Sequence, residues 1–266
     1  MCPNIRNAAD SAVPLLGFAR RRMPRTYVLL LLPALLASLG CGECPAPESG
    51  ADAAAWDTFL AEAKRVNPML VPPFIIRHFF RDRPAGFFVD VGASHFRQWN
   101  NTHFLEQNLA WSGIAIDALA KYGPDYEKKR PRTKFFAYIV TDHTSTEETF
   151  YHTKGDLGST AVKERAITVE KFLPVDEIKV PAITLNDLLT SAGVTKIDLL
   201  AMDIEAGELP ALAGFDIEKF APELVCIEAF PEAQAALLKY FEKHGYRRID
   251  RYLEYDAGNW FFTPVR

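Results

Sequence analysis

The apolar positions of this chain change period several times. Trp56, Phe59, Leu60 and Ala63 recur three and four apart, the spacing of one helix face, and predict an amphipathic helix over residues 52 to 66. After Pro72-Pro73 and an aromatic stretch, apolar runs and helical patterns alternate. Phe87 to Val91 predicts a first strand, residues 100 to 109 a helix with Thr102 near its start, and Gly113 to Asp117 a second strand. Residues 119 to 129 read as helical, interrupted by Gly123-Pro124. Lys134 to Val140 predicts a third strand and Glu148 to His152 an edge strand. The weakly periodic stretch 153 to 174 reads as a mobile loop or lid, with Tyr151, His152 and His143 on or near it as substrate contacts or plain loop residues. Thr184, three residues before Asp187, opens a helix in the manner of a capping box. Ile197 to Met202 and Pro222 to Ile227 are buried strands. Ala233, Ala236, Leu237, Tyr240 and Phe241 mark one face of a further helix, and Tyr246 to Tyr252 with Asn259 to Thr263 close the chain as a strand pair.

Strands alternating with helices predict an α/β fold of Rossmann-like type: a mostly parallel sheet covered on both faces, with a C-terminal antiparallel pair. Ligands of such sheets bind at the carboxyl ends of the strands. Here four core strands end in acids, Asp90, Asp117, Asp203 and Glu228, and Asp142 lies just past the end of a fifth.

Composition adds bounds rather than detail. The 266 residues, 48% of them hydrophobic, support one domain of ordinary size with appendages. The net charge is −4 and no long basic stripe follows the N-terminus, which excludes a nucleic-acid footprint. The four cysteines do not make a disulfide framework. Residues 1 to 40 form a targeting segment: Arg20, Arg21, Arg22 and Arg25 precede the apolar run Tyr27 to Leu39, the layout of an export signal. Gly40-Cys41 is similar to a lipoprotein cleavage site, with Cys41 as the lipidated residue and Ser38 where leucine is usual. Residues 41 to 50 read as a tether, 51 to 84 as a helical extension, and 85 to 266 as the main domain. The expected location is therefore exported or membrane-associated through the N-terminus, with an anchor on the cytoplasmic side as the other possibility.

A row of carboxylates would repel phosphate, and the chain has no glycine-rich phosphate loop: a single glycine, Gly92, follows the first strand. The same row suits a cationic ligand that carries a ribose diol, which S-adenosylmethionine does. A carboxylate at the end of the second strand can accept from both ribose hydroxyls. One glycine lets the backbone approach the methionine end closely.

The stretch Asp90-Val-Gly-Ala-Ser-His-Phe-Arg-Gln-Trp-Asn-Asn-Thr102 resembles the first loop, roughly DVGAxHPxxxSNT, of one branch of the FkbM methyltransferases. Trp111 to Asp117 resembles that family's GWxGIxID, Arg130-Pro-Arg132 its RPRD, and Leu199 to Glu205 its FLxIDVEG. Ala213 to Asp216 and Pro222 to Glu228 are similar to the segments that follow. The resemblance covers about residues 85 to 230. It implies a class I methyltransferase fold, S-adenosylmethionine as donor, and O-methylation of a sugar or polyketide hydroxyl. Phe96, Asn100 and Ala206-Gly207 depart from the family pattern, which bears on substrate geometry more than on fold.

Each candidate residue has a functional and a plain role. Asp117 holds the ribose hydroxyls or caps the next helix. Asp90, Gly92, Ala93 and Ser94 sit at the methionine end or only shape the turn, Asp90 acting through loop hydrogen bonds. Asn101 and Thr102 bond the loop or donor carboxylate, or cap a helix. Ala118 flanks the ribose acid, and Asp142 approaches the adenine amino group or is solvated. Transfer of a methyl group to a hydroxyl needs an in-line approach and a base. Asp203 is the first candidate and His95 the second, with Glu205 beside them; the alternatives are an amino-group contact for Asp203 and loop support for His95. Glu205 and Glu228 could join Asp203 on Mg²⁺, but no dedicated metal motif is present and no metal is expected. The expected partner is a small-molecule or glycan acceptor. The competing reading is an exported binding module that keeps the fold without catalysis, because S-adenosylmethionine is an intracellular compound.

Overall fold

The computed structural model describes residues 52–66 and 71–265. The targeting segment, Cys41 and the tether lie outside the described residues. In chain order come helices α1 (Ala53–Val66) and α2 (Pro72–Phe80), then β1 (Phe87–Val91), α3 (His103–Leu109), β2 (Ser112–Asp117), α4 (Gly123–Lys129) and β3 (Thr133–Ala137). Next are β4 (Ile139–Val140), β5 (Ser145–Thr153), α5 (Lys163–Glu170), β6 (Val175–Ile183), α6 (Leu185–Ser191) and β7 (Leu199–Met202). The chain ends with α7 (Glu208–Ala213), α8 (Ile217–Phe220), β8 (Leu224–Glu228), α9 (Gln234–Lys243), β9 (Tyr246–Arg248) and β10 (Asn259–Pro264). Among the described residues no helix is long and apolar enough to cross a membrane.

Seven strands form one sheet in the order β3-β2-β1-β7-β8-β10-β9. The pairs β3·β2, β2·β1, β1·β7 and β7·β8 are parallel, and β10 runs antiparallel to both β8 and β9. The expected mostly parallel sheet with an antiparallel C-terminal pair is therefore present. The order reverses between β1 and β7, so the carboxyl ends of β1, β2 and β7 border the crevice where open α/β sheets bind ligands.

The central strands are mainly apolar because both faces are covered. Val89, Leu200, Val225 and Phe262 point into one core with α6, α8 and α9. Phe88, Leu199, Leu224 and Phe261 point the other way, onto Trp56, Leu60, Ile75 and Ile76 of α1 and α2. The stretch read as a helical extension thus supplies one layer of the domain core.

Several element boundaries differ from the sequence expectation. The third strand breaks at Tyr138, because its partner β2 ends at Asp117 opposite Ala137; Ile139 and Val140 then pair with β6. The stretch read as a mobile loop or lid holds helix α5 and borders β6, the nine-residue antiparallel partner of β5. Together β4, β6 and β5 make a second, three-stranded sheet beside the cleft. Ile178, Val180 and Ala182 of β6 pack with Leu119, Ile139 and Phe150, which holds this sheet in place. The helix expected from residue 100 begins at His103, because the side chains of Asn100 and Thr102 are engaged elsewhere. The strand expected from Tyr246 to Tyr252 stops at Arg248 and gives way to a 3₁₀ turn, which turns Tyr252 inward to His78.

Candidate functional site

The end of β1 sets the geometry of the cleft. The backbone N–H groups of Gly92 and Ala93 both donate to the Ile116 carbonyl of β2, at 2.9 and 3.0 Å, and the Asp203 N–H donates to the Val91 carbonyl. The loop after β1 is thereby pinned between the ends of β2 and β7. Gly92 lies at φ +82°, and a Cβ there would stand 1.8 Å from the Asp203 carbonyl oxygen. Glycine is required at this point because backbone meets backbone.

A buried polar network holds the rest of that loop. Thr102 Oγ1 donates to Asp90 at 2.8 Å, and Asn100 Nδ2 donates to the Ala93 carbonyl at 2.9 Å. The fully buried Arg130 pairs with the buried Glu106 and also donates to Phe96 O, Asn100 Oδ1, Thr102 Oγ1 and Thr133 Oγ1. Glu106 accepts further bonds from Thr133 Oγ1 and Arg132 N. Burial pushes the Asp90 carboxyl up to about 6, against the pull of Thr102 and Arg130. Asp90 therefore acts on the loop from below and does not line the cleft.

Asp117, at the end of β2, does line it. One carboxylate oxygen accepts from Ser94 N at 2.9 Å and the other from Leu119 N at 2.8 Å. These bonds fix its orientation and join the two loops that flank it. Burial again dominates and raises its carboxyl to about 6. Beside it Ala118, Leu119, Ile139, Val140 and Phe150 form an apolar slot along one wall of the cleft.

The segment between β5 and α5 covers the cleft as a strap. Leu157, Gly158 and Ser159 line its inner side. Asp156 ties the strap down by accepting from Lys121 Nζ and Tyr122 Oη, both at 2.6 Å, and from His152 Nε2 at 2.8 Å. Burial alone would raise this carboxyl, but the three donors outweigh it and hold Asp156 at about 2. At its far end Thr160 Oγ1 donates to the Glu205 carbonyl at 2.7 Å. Trp99 is exposed at the cleft, with φ +56°.

Asp203 and Glu205 follow β7, and Glu228 ends β8. Carboxylate oxygens of these three lie within 4.8 Å of one another. Asp203 is open to solvent from the cleft but crowded by protein on its other sides. The crowding governs its acidity, so burial first and the Glu205 charge second raise its carboxyl well above the usual range. Glu228 is raised further, by burial and then by Asp203, and its Oε2 is enclosed with no hydrogen-bond partner. Burial and like charge favour the protonated form at both positions. Glu208 on α7 accepts from Ile204 N at 2.9 Å and is raised by burial to about 7.

The fold thus brings Gly92, Ser94, Asp117, Ala118, Asp203 and Glu205 together around one cleft. Asp90, Ala93 and Thr102 are buried behind it. Asn101 is half-buried on the loop outside the lining, and Asp142 is exposed and paired with His143. His95 also lies outside the lining: its Nδ1 accepts from Arg97 N and Gln98 N, so the ring serves its own loop. Trp99, Tyr122, Asp156 and Arg165 carry no motif and were not singled out from the sequence. The Gly155-Asp-Leu-Gly158 turn, with φ positive at Gly155, Asp156 and Gly158, was the available sign of the strap.

With this geometry in place, the methyltransferase FkbM domain model matches residues 90–248. No curated protein matches the chain. A TehB-like SAM-dependent methyltransferase from Corynebacterium glutamicum superposes with a TM-score of 0.42 at 10% identity, covering 80% of this chain and 100% of the other. The 1,6-didemethyltoxoflavin-N1-methyltransferase from Burkholderia thailandensis, solved with S-adenosylhomocysteine, superposes with a TM-score of 0.35 at 12% identity over 93% and 91%. Both likenesses are distant.

Proposed function

The chain belongs to the FkbM methyltransferase family, a family of S-adenosylmethionine-dependent enzymes, and on that premise we propose that it methylates a hydroxyl of a small-molecule or glycan acceptor. The observation that carries this reading is the charge of the cleft. Among the described residues its lining contains four carboxylates, Asp117, Asp156, Asp203 and Glu205, and no lysine or arginine; Lys121 and Arg165 pair with Asp156 and Glu205 from outside the lining, which leaves Asp117 and Asp203 without a cation. Such a cleft disfavours phosphate and favours a cation.

The residues present fit S-adenosylmethionine. Asp117 is assigned to the ribose diol, a reading supported by its two backbone bonds, which orient the carboxylate and leave lone pairs free. The apolar slot of Leu119, Ile139, Val140 and Phe150 suits the flat adenine ring, and the exposed Asp142 lies outside this lining. Gly92, packed against the Asp203 carbonyl, shapes the loop that we assign to the methionine end. When bound, S-adenosylmethionine supplies an electrophilic methyl group on a sulfonium. Asp203 is assigned as the base that takes the acceptor's hydroxyl proton, helped by its position at the cleft floor and its raised affinity for protons. The strap and Trp99 limit the access of water.

Calorimetric titration of the full chain with S-adenosylmethionine and S-adenosylhomocysteine tests the reading. Micromolar binding that weakens at least tenfold in Asp117→Ala, with an unchanged circular dichroism spectrum, supports it. A folded wild-type chain that binds neither compound would overturn it.

A further inference from the structure

We propose that Arg165 is a positioning residue of this cleft: carried by α5 on the far side of the strap, it holds Glu205 and offsets part of the charge that Glu205 sets against Asp203. The inference rests on the reading of Asp203 as the base. Arg165 Nη2 lies 2.6 Å and Nε 3.1 Å from the same Glu205 oxygen. Its guanidinium also stacks on Phe230, 4.4 Å from the ring centroid, in the segment that follows β8. The arginine is therefore held from two sides, with less than a quarter of its side chain exposed.

The surroundings explain why a cation is needed there. Asp203 faces Glu205 from its own loop, Glu228 from β8, Glu208 from α7, Asp90 from β1 and Asp256 from the turn before β10. All are acids. Each negative neighbour makes it harder for Asp203 to lose its proton, and a base that stays protonated accepts nothing. An ion pair at Glu205 offsets the strongest of these charges, which still raises Asp203 with the pair in place. The backbone is bent to make the pair: Glu205 and Ala206 both have positive φ, at 55° and 76°, and Thr160 on the strap fastens the Glu205 carbonyl. Thr160 on the strap and Arg165 on α5 thus hold the same residue, one at its backbone and the other at its carboxylate.

The test uses the full chain and two ligands that differ in one charge. S-adenosylmethionine carries a sulfonium, whereas S-adenosylhomocysteine has a neutral sulfur. The ratio of their affinities follows the ionisation of the nearby acids and rises with pH through a midpoint. Arg165→Gln is expected to move that midpoint up by about one pH unit. Arg165→Lys should restore most of it, and Glu205→Gln should move it the other way. Carboxyl ¹³C resonances of Asp203 should report the same displacements without any ligand. Midpoints unchanged in Arg165→Gln and Glu205→Gln, with at most a lowered Tm, would overturn the proposal and leave Arg165 as an anchor for α5. Should the wild-type chain bind neither compound, the donor reading fails, while the Asp203 resonances still decide whether Arg165 controls its charge.

Discussion

Replacing Arg130 with methionine would remove the cation from the middle of the buried network and keep most of its apolar stem. Arg130 has no exposed side-chain surface, and its partner Glu106 is 1% exposed. In the wild-type chain the arginine serves five acceptors: Glu106, Phe96 O, Asn100, Thr102 and Thr133. Without it Glu106 keeps only the Thr133 hydroxyl and Arg132 N–H as donors, and its charge stays in the interior. Breaking a buried pair from one side costs about 3–5 kcal/mol, because the abandoned charge cannot return to water. For a domain of this size that lowers Tm by roughly 6–20 °C.

The double variant Arg130→Met/Glu106→Leu separates this cause from simple loss of contacts. With both charges gone, no stranded carboxylate remains, so the double variant should be more stable than Arg130→Met alone despite carrying a further substitution. Urea denaturation followed by circular dichroism gives the free energies, and the double-mutant cycle should show a coupling of about 2 kcal/mol or more. A loss below about 1 kcal/mol in Arg130→Met, or strict additivity in the cycle, would refute the idea that this pair organises the loop. The same network holds Asn100 against the Ala93 carbonyl, so S-adenosylhomocysteine affinity should fall in Arg130→Met even well below its Tm.

Three further outcomes follow from the structure. Burial raises Asp90 from 3.8 to about 6, so its contribution to stability is fully present below about pH 4 and is lost as pH rises through 6; that gap is worth about 3 kcal/mol, and Asp90→Asn should flatten this part of the stability–pH curve, whereas identical curves would remove Asp90 as the cause. Asp156→Asn loosens the strap by weakening charge-assisted bonds, so stopped-flow dissociation of S-adenosylhomocysteine should quicken about tenfold and trypsin should cut faster after the exposed Lys154; an unchanged dissociation rate would mean that the strap does not control exit. Ala206→Gly relieves a left-handed alanine at φ 76° and should stabilise the fold by about 1 kcal/mol, or about 2–4 °C in Tm; a lower Tm would show that the bend is not strained.

The main sheet was legible because its strands are buried on both faces, which leaves unbroken apolar runs such as Phe87-Phe88-Val89 and Leu199 to Met202. The small sheet was not. In β6 the buried Val180 and Ala182 alternate with Lys179 and Pro181, yet the strand opens with the consecutive acids Asp176 and Glu177, which hides the period of two. Helix α5 has only eight residues and buries just Ala166 and Val169, too little for a clear helical stripe. The break at Tyr138 depends on where β2 stops, which no property of residues 134 to 140 records.

For the site, the acids at strand ends could be read because each sits at a fixed place in its own strand. Their partners could not. Arg130 meets Glu106 across 24 residues, Tyr122 meets Asp156 across 34, and Arg165 meets Glu205 across 40. Those pairings divide the acids into two groups. Glu106, Asp156 and Glu205 each meet a cation in the folded chain, and their charges are spent on holding loops. Asp117, Asp203 and Glu228 meet none among the described salt bridges, although burial makes an unpaired carboxylate costly. Two of these three line the cleft, at the ends of β2 and β7, the strands that flank β1 and its Gly92. A ligand that brought positive charge and hydroxyl donors to this spot would relieve that cost, and a negatively charged one would add to it. The uncompensated acids therefore define the chemistry of the cleft more sharply than the paired ones.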